Sequence, residues 1–150
     1  MRVCNLFLML LLLYPVTAVA QRTAQDGVDS LRAFLQNGRI TRIEILRDPD
    51  DVNYIVDITP DALRSDPNYK ITFNDVRQTA FPSLLSEALP KASKRRIDLR
   101  WGILFSNAKG QEVGSIFVDH FGKTGYVNGE PVAFGSNLAV QLRAIIQHLR

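Results

Sequence analysis

The chain has 150 residues, of which 46% are hydrophobic and 22% charged, a composition typical of a globular domain. Its formal net charge of +3 is too small to indicate binding to nucleic acid or to an anionic membrane. The single cysteine, Cys4, lies close to the amino terminus, so the chain cannot form an internal disulfide bond.

The first twenty residues have the features of a secretory signal peptide. Arg2 supplies a positive charge, the stretch from Leu6 to Tyr14 is entirely apolar, and Ala18-Val19-Ala20 matches the small-x-small cleavage pattern. This apolar stretch is much shorter than the roughly 20 residues that a membrane-spanning helix needs. We therefore predict a signal peptide over residues 1–20 and a single exported α+β domain over residues 21–150, with no membrane span after cleavage.

The exported domain would contain neither cysteine nor a glycosylation sequon. No asparagine in the chain begins an Asn-x-Ser/Thr sequence. Disulfides are common in exported domains, and this domain would depend on its core alone. We expect a periplasmic location in a Gram-negative cell, or secretion.

The residues after the leader predict a helix and a first pair of strands. A helix over residues 27–36, capped by Asp26, would place apolar residues on one face. Alternating apolar residues then predict strands over residues 40–47 and 52–58. The turn Asp48-Pro49-Asp50-Asp51 would join them as a hairpin.

The middle of the chain predicts two helices and a strand. Thr59-Pro60-Asp61 has the order of residues that begins a helix, and Pro67 keeps that helix short. Tyr69 to Phe73 can form a strand. Phe81 to Leu89 has helical spacing of its apolar residues and ends at Pro90.

The clearest strand runs from Ile97 to Phe105, where apolar residues occupy every second position. A polar turn over residues 106–111 leads to a second strand over residues 112–120, which predicts an antiparallel hairpin. Asn128-Gly129 is the strongest signal for another hairpin.

The end of the chain completes the predicted fold. Pro131 indicates an edge strand, and Ser136 can cap a final amphipathic helix. We predict a single α+β domain with a mainly antiparallel sheet of four to six strands. An N-terminal helix, a middle helix and a C-terminal amphipathic helix would pack on one face of the sheet.

Pairing Ser106 with Gln111 in the central hairpin would set the register and assign two faces. One face would carry the core residues Ile97, Leu99, Trp101 and Ile103 against Gly114, Ile116 and Val118. The other would place Arg100 opposite Phe117, Leu104 opposite Val113 and Asp98 opposite Asp119. Two alternatives stay open for this second face: the short helix near Pro60 or a loop covers it, or the face is exposed for a partner.

The second face is the predicted partner-binding surface because it combines charges with apolar side chains. Its members would be Arg96, Asp98, Arg100, Leu104, Val113, Phe117 and Asp119. The basic residues from Lys91 to Arg100 favour an acidic protein partner over nucleic acid, because they lack interleaved aromatic residues. The oligomeric state stays open.

Motifs for catalysis are scarce. The sequence has no Gly-x-Ser-x-Gly or His-Glu-x-x-His motif, and Gly122-Lys123-Thr124 is followed by strand residues where a phosphate-binding loop needs a helix. Beyond the leader there are two histidines and no thiol, so we expect neither a metal site nor a cofactor.

We therefore predict an exported, non-catalytic protein-binding module, such as an inhibitor or an immunity-type protein. Two alternatives stay open. One is a small periplasmic hydrolase that uses His120 with Asp119 or Asp98, although neighbouring strand residues point to opposite faces. The other is a small-ligand carrier, which requires a cavity between the final helix and the sheet.

Overall fold

The computed structural model describes residues 14–49, 56–74, 76, 90–92 and 97–148, with backbone alone at 14–24, 90–92 and 148. These residues form helices α1 (Tyr14–Gln36), α2 (Pro60–Ser65) and α3 (Leu138–His148), and strands β1 (Arg42–Arg47), β2 (Tyr69–Phe73), β3 (Pro90–Ala92), β4 (Leu99–Ser106), β5 (Glu112–Asp119), β6 (Thr124–Val127) and β7 (Glu130–Phe134).

The described strands form one antiparallel sheet with the order β2-β1-β4-β5-β6-β7-β3. This arrangement confirms the predicted α+β class and the mainly antiparallel sheet. The three-residue strand β3, which pairs with β7, brings the described strands to seven, one above the predicted range. The predicted middle helix over Phe81 to Leu89 lies outside the described residues.

Helices α1 and α3 bury the first face of the sheet. Val28 and Leu31 of α1 pack in the same cluster as Leu138 and Leu142 of α3, as their helical spacing predicts. Trp101 is fully buried in this cluster, and the guanidinium of Arg47 lies 4.7 Å from the centre of its ring. Both helices therefore hold the sheet from one side.

Helix α1 is longer than the sequence predicts. It begins at Tyr14 and runs through Ala20, whereas the predicted helix spans residues 27–36. Its buried contacts with the sheet begin at Val28 among the described side chains. The signal peptide over residues 1–20 stays a prediction.

The neighbours of strand β1 differ from the predicted hairpin, in which residues 40–47 would pair with residues 52–58. It pairs with β2 on one side and with β4 on the other. Ile58 lies instead in extended chain, where its N–H donates to Asp98 Oδ1 at 3.0 Å and its carbonyl accepts from Leu99 N at 3.3 Å. The hairpin prediction is wrong because β2 and β4 already pair with the two sides of β1. Residues 50–55, which contain part of the predicted turn and most of the predicted second strand, lie outside the described residues.

The predicted register of the β4–β5 hairpin is wrong by two residues. Ser106 pairs with Glu112 and not with Gln111, which shifts the register by one residue. A bulge at Val113, between the pairs of Ser106 and Phe105, shifts it by one more, so Ile103 lies opposite Ile116. A shift of two keeps each side chain on its own face. Trp101 and Ile103 therefore face the first cluster as predicted.

A second bulge, at Arg100, moves the beginning of β4 to the opposite face. Leu99 lies opposite Asp119 and Trp101 opposite Val118, so β4 uses two residues where β5 uses one. Leu99 consequently turns away from the side occupied by Trp101. The predicted single core face of this strand is wrong at its first residues.

Helix α2 covers the second face of the sheet at this end. Thr59 begins it by accepting a hydrogen bond from Ala62 N at 3.2 Å, as the sequence predicts. Its Leu63 packs in a second buried cluster with Leu46, Ile58, Ile97, Leu99 and Phe117. The sheet therefore has a core on both sides.

Two local predictions at the end of the chain need adjustment. Asn128 and Gly129 adopt positive φ and join β6 to β7, as predicted, but β7 is not an edge because β3 pairs with it. Pro131 is tolerated because β3 pairs no further along β7 than Val132. Asn137, not Ser136, caps α3 by accepting from Val140 N at 3.1 Å.

Candidate functional site

An open cleft of about 650 Å³ lies where β4 begins, β5 ends and α3 starts. Three separate parts of the chain meet there: the residues before β4, the turn between β5 and β6, and the cap of α3. The lining residues are Ile97, Asp98, Asp119, His120, Phe121, Lys123, Thr124 and Asn137. We refer to this as the β4–β5 cleft.

The turn at the floor of the cleft is built by Asp119. Its Oδ1 accepts from Lys123 N at 3.0 Å and its Oδ2 from Thr124 Oγ1 at 2.5 Å. Gly122 has a φ of 68° and donates its N–H to the Asp119 carbonyl at 3.1 Å. The Asp119 carboxylate therefore acts as a scaffold for the turn, because each of its oxygens binds a group of the same loop.

Asp98 is held from the other side of the cleft. Its Oδ1 accepts from Ile58 N, and its Oδ2 accepts from Arg100 Nη2 at 2.8 Å. Arg100 Nη1 also donates to the Pro49 carbonyl at 3.3 Å. The side chain of Arg100 thus compensates the Asp98 charge, which explains how two carboxylates, Asp98 and Asp119, line one cleft.

His120 also lines the cleft, with its ring edge-on to Phe121 at a centroid distance of 4.6 Å. All four carboxylate oxygens of Asp98 and Asp119 already accept hydrogen bonds from other groups of the fold. These bonds fix the orientation of both carboxylates, but each carboxylate oxygen has two lone pairs, so the bonds by themselves do not prevent proton transfer.

An apolar patch adjoins the charged lining. Phe121 is 65% exposed, which is unusual for so large an apolar side chain in a tight turn. The Gly122 carbonyl accepts from Leu138 N at 3.1 Å, which holds this turn against the first turn of α3. Val140, in that same helical turn, is 54% exposed. Phe121 therefore places an exposed apolar group beside fixed charges in the lining of the cleft, and Val140 is a second exposed apolar side chain on the helix that begins there.

The predicted partner-binding residues separate in the structure. Asp98 and Asp119 line the cleft, while Phe117 is only 1% exposed and Arg100 only 6% exposed. Of the two alternatives left open for this face, coverage by the short helix near Pro60 is the one that the structure shows at Phe117, which packs in one cluster with Leu63 of α2. Arg100 is engaged in the ion pair with Asp98. The partner-binding role of these residues stays a prediction.

Of the other three predicted residues, Val113 is the one that the structure places on a different face from the one predicted. Leu104 is half-buried against the second cluster, and Val113 packs against the first cluster because it lies in the bulge opposite Phe105 and Ser106. Arg96 lies outside the described residues. The sequence prediction missed Phe121 and Lys123, although a large apolar residue in a polar turn is a local signal for them.

A smaller cleft, of about 400 Å³, lies between the last turns of α3 and the strands β1 and β2. Its lining includes Ile45, Arg47, Tyr69, Ile71 and Ile146. This is the place between final helix and sheet where a ligand carrier would need its cavity. Elsewhere along α3, Leu138 and Leu142 pack in the first cluster.

A buried acid stands on the second face of the sheet, away from both clefts. Glu44 Oε1 lies 2.5 Å from Arg42 Nη2 and 2.7 Å from Lys70 Nζ. Burial alone raises the pKa of Glu44, but hydrogen bonds and attraction from Lys70 and Arg42 outweigh it and hold the pKa below its ordinary value. Glu44 therefore links β1 to its edge neighbour β2.

Comparison of the chain with protein-family models, with curated proteins and with solved structures found no match. Within the described residues, no helix is both long enough and apolar enough to cross a membrane. In that same part of the chain, no three histidine, cysteine or acidic side chains are grouped in a way that could hold a metal ion.

Proposed function

We propose that this chain is an exported, non-catalytic module that binds another protein through the β4–β5 cleft. The observation that carries the proposal is the exposed Phe121 beside carboxylates that the fold holds in place. Large aromatic side chains are frequent energetic centres of protein interfaces. Polar groups that are already oriented lower the entropic cost of association.

The charges of the cleft favour a partner surface that itself carries both signs. Asp98 and Asp119 supply negative charge, and Lys123 supplies positive charge, within one lining. The basic stretch from Lys91 to Arg100 was the reason to expect an acidic partner. Its last residue, Arg100, binds Asp98 within the fold and is therefore mainly structural. Complementary charges would set the orientation of the partner, and the apolar patch would supply most of the affinity.

The proposal can be tested by capturing the partner with tagged protein from the envelope of the source cells. We expect Phe121→Ala to reduce the retained partner about tenfold or more, since loss of an interface centre costs at least about 2 kcal/mol. Val56→Ala is the control, because it removes another exposed apolar side chain that does not line the cleft. Equal retention by the wild type and by Phe121→Ala would contradict the assignment of the cleft.

The export half of the proposal has a separate test. Cell fractionation followed by mass determination should find the protein outside the cytoplasm with Gln21 as its first residue. Full-length protein that stays in the cytoplasm would contradict export while leaving the binding surface untouched.

A small hydrolase is the second candidate, favoured by the presence of His120, Asp98 and Asp119 in one cleft. The hydrogen bonds to both carboxylates hold them in place and leave this candidate open. Hydrolysis of generic esters or phosphodiesters that disappears in His120→Ala, but not in Phe121→Ala, would favour this candidate over binding.

A further inference from the structure

The two edges of the sheet differ in how they are protected. Among the described strands, β3 ends one side; it has three residues and begins with Pro90, two features that discourage pairing with another chain. In the same part of the chain, β2 ends the other side with five residues, all paired in regular register with β1 and without proline or bulge. An edge of the second kind presents a row of backbone groups that another strand can pair with.

Three of the five side chains of β2 are exposed. Tyr69 is 58% exposed, and Lys70 and Thr72 are exposed as well. Lys70 is the only charged residue in the strand, and it forms an ion pair with Glu44 on the neighbouring strand. The one charge that could repel an incoming strand is therefore partly neutralised within the chain.

The sequence of β2 is complementary to itself in an antiparallel pairing. With a twofold axis at Ile71, Tyr69 of one copy would lie opposite Phe73 of the other, and Lys70 would lie opposite Thr72. Tyr69, Ile71 and Phe73 lie on the first face, since they pair with residues of β1 on that side. This register makes aromatic cross-strand pairs and brings no two like charges together.

We propose that β2 pairs with β2 of a second copy of this chain and makes the protein a dimer with one continuous sheet. The interface is isologous, because the same strand contributes from both copies. The smaller cleft beside Tyr69, Ile71 and Ile146 would flank the axis on each side and supply apolar contact area. The proposal is independent of the β4–β5 cleft, which lies away from this edge.

Sedimentation velocity of the purified protein over a range of concentrations tests the dimer. We expect the mass to double, and we expect Thr72→Lys to raise the dimer Kd about tenfold by placing lysine opposite Lys70 twice across the axis. Within one chain the same lysine lies opposite Glu44, so the substitution favours the fold while it opposes pairing. Val140→Lys, on the exposed face of α3, is the matched control and should leave the dimer intact.

Disulfide cross-linking checks the position of the axis. Ile71→Cys should form a covalent dimer under mild oxidation, because opposite residues of paired strands lie within the distance that a disulfide spans. Val140→Cys is the control for random collision. A protein that is monomeric at every concentration, a dimer that Thr72→Lys leaves unchanged, or equal cross-linking by both cysteines would overturn the proposal.

Discussion

The close packing of Phe117 on Gly102 makes a sharp test of the second core. These residues face each other across β4 and β5, and a Cβ atom at position 102 would lie 2.8 Å from Phe117 Cε1. A real Cβ does not approach a ring carbon so closely, so Gly102→Ala must displace the buried ring. Strand backbone at this position otherwise accepts alanine.

The expected size of the effect follows from two opposing contributions. Overpacking a core costs about 1–3 kcal/mol, while replacing glycine by alanine gains about 0.4–1 kcal/mol through the unfolded state. We therefore expect Gly102→Ala to lower the free energy of unfolding by about 1–2 kcal/mol. In a Phe117→Leu background, where the shorter side chain leaves room, the same substitution should cost close to nothing.

Urea denaturation of the four proteins in this cycle measures the coupling, provided that the m-value stays constant. Gly135→Ala is the matched control, because a Cβ there meets no atom within 4 Å. If Gly102→Ala cost the same in the wild type and in Phe117→Leu, ring displacement could not be the cause. The second core would then be packed differently from the arrangement described above.

Two further predictions concern charge and backbone. Because the pKa of Glu44 lies below its ordinary 4.5 in the folded state, its pairing stabilises the fold above that pH. That stability should be lost as the pH falls from about 4.5 through the lowered pKa. In urea titrations at several pH values, Glu44→Gln should make the free energy of unfolding depend less on pH in this range. An unchanged pH dependence in the variant would contradict the prediction. Gly122→Ala should lower the thermal unfolding temperature more than Gly110→Ala does. Both glycines have positive φ, but only at Gly122 would an added Cβ lie 2.2 Å from Ala139 N. Equal losses would show that the contact with α3 is unimportant.

Local signals were sufficient where the structure depends on neighbouring residues. Thr59-Pro60-Asp61 predicted the start of α2, and Asn128-Gly129 predicted the turn between β6 and β7. In both places the side chain or the φ angle of one or two residues decides the conformation. The helical spacing of Leu138, Leu142 and Ile145 in α3 likewise predicted that they face the core, while Leu149 of the same predicted stripe lies outside the described residues.

The bulge at Arg100 could not be read from alternation. Apolar residues continue at Ile97 and Leu99 in the same period as Trp101, so the pattern predicts one face for all three. Both faces of the sheet are buried at this point, so an apolar side chain is accommodated on whichever face the bulge places it. Alternation identifies buried positions, but it cannot say which of two cores receives them.

The candidate site escaped prediction because its parts are distant in the chain. Asp98 precedes β4, Asp119 and Phe121 begin a turn two strands' length later, and Asn137 caps α3. Only the pairing of β4 with β5 and the docking of α3 bring them together. The predicted opposition of Asp98 and Asp119 was the one tertiary relation that pointed to this place, and their register differs from the predicted one.

The strand order also implies a sequence of assembly. Strands β4, β5, β6 and β7 are consecutive both in the chain and in the sheet, so each can pair with its predecessor by closing a short loop. Strands β1 and β3 join this meander only through distant pairings, with β4 and β7 respectively. We expect the meander to form the folding nucleus, with β2 added late beyond β1. A refolding chain would thus complete the β2 edge, which is the proposed dimer interface, only after the β4–β5 cleft has begun to form.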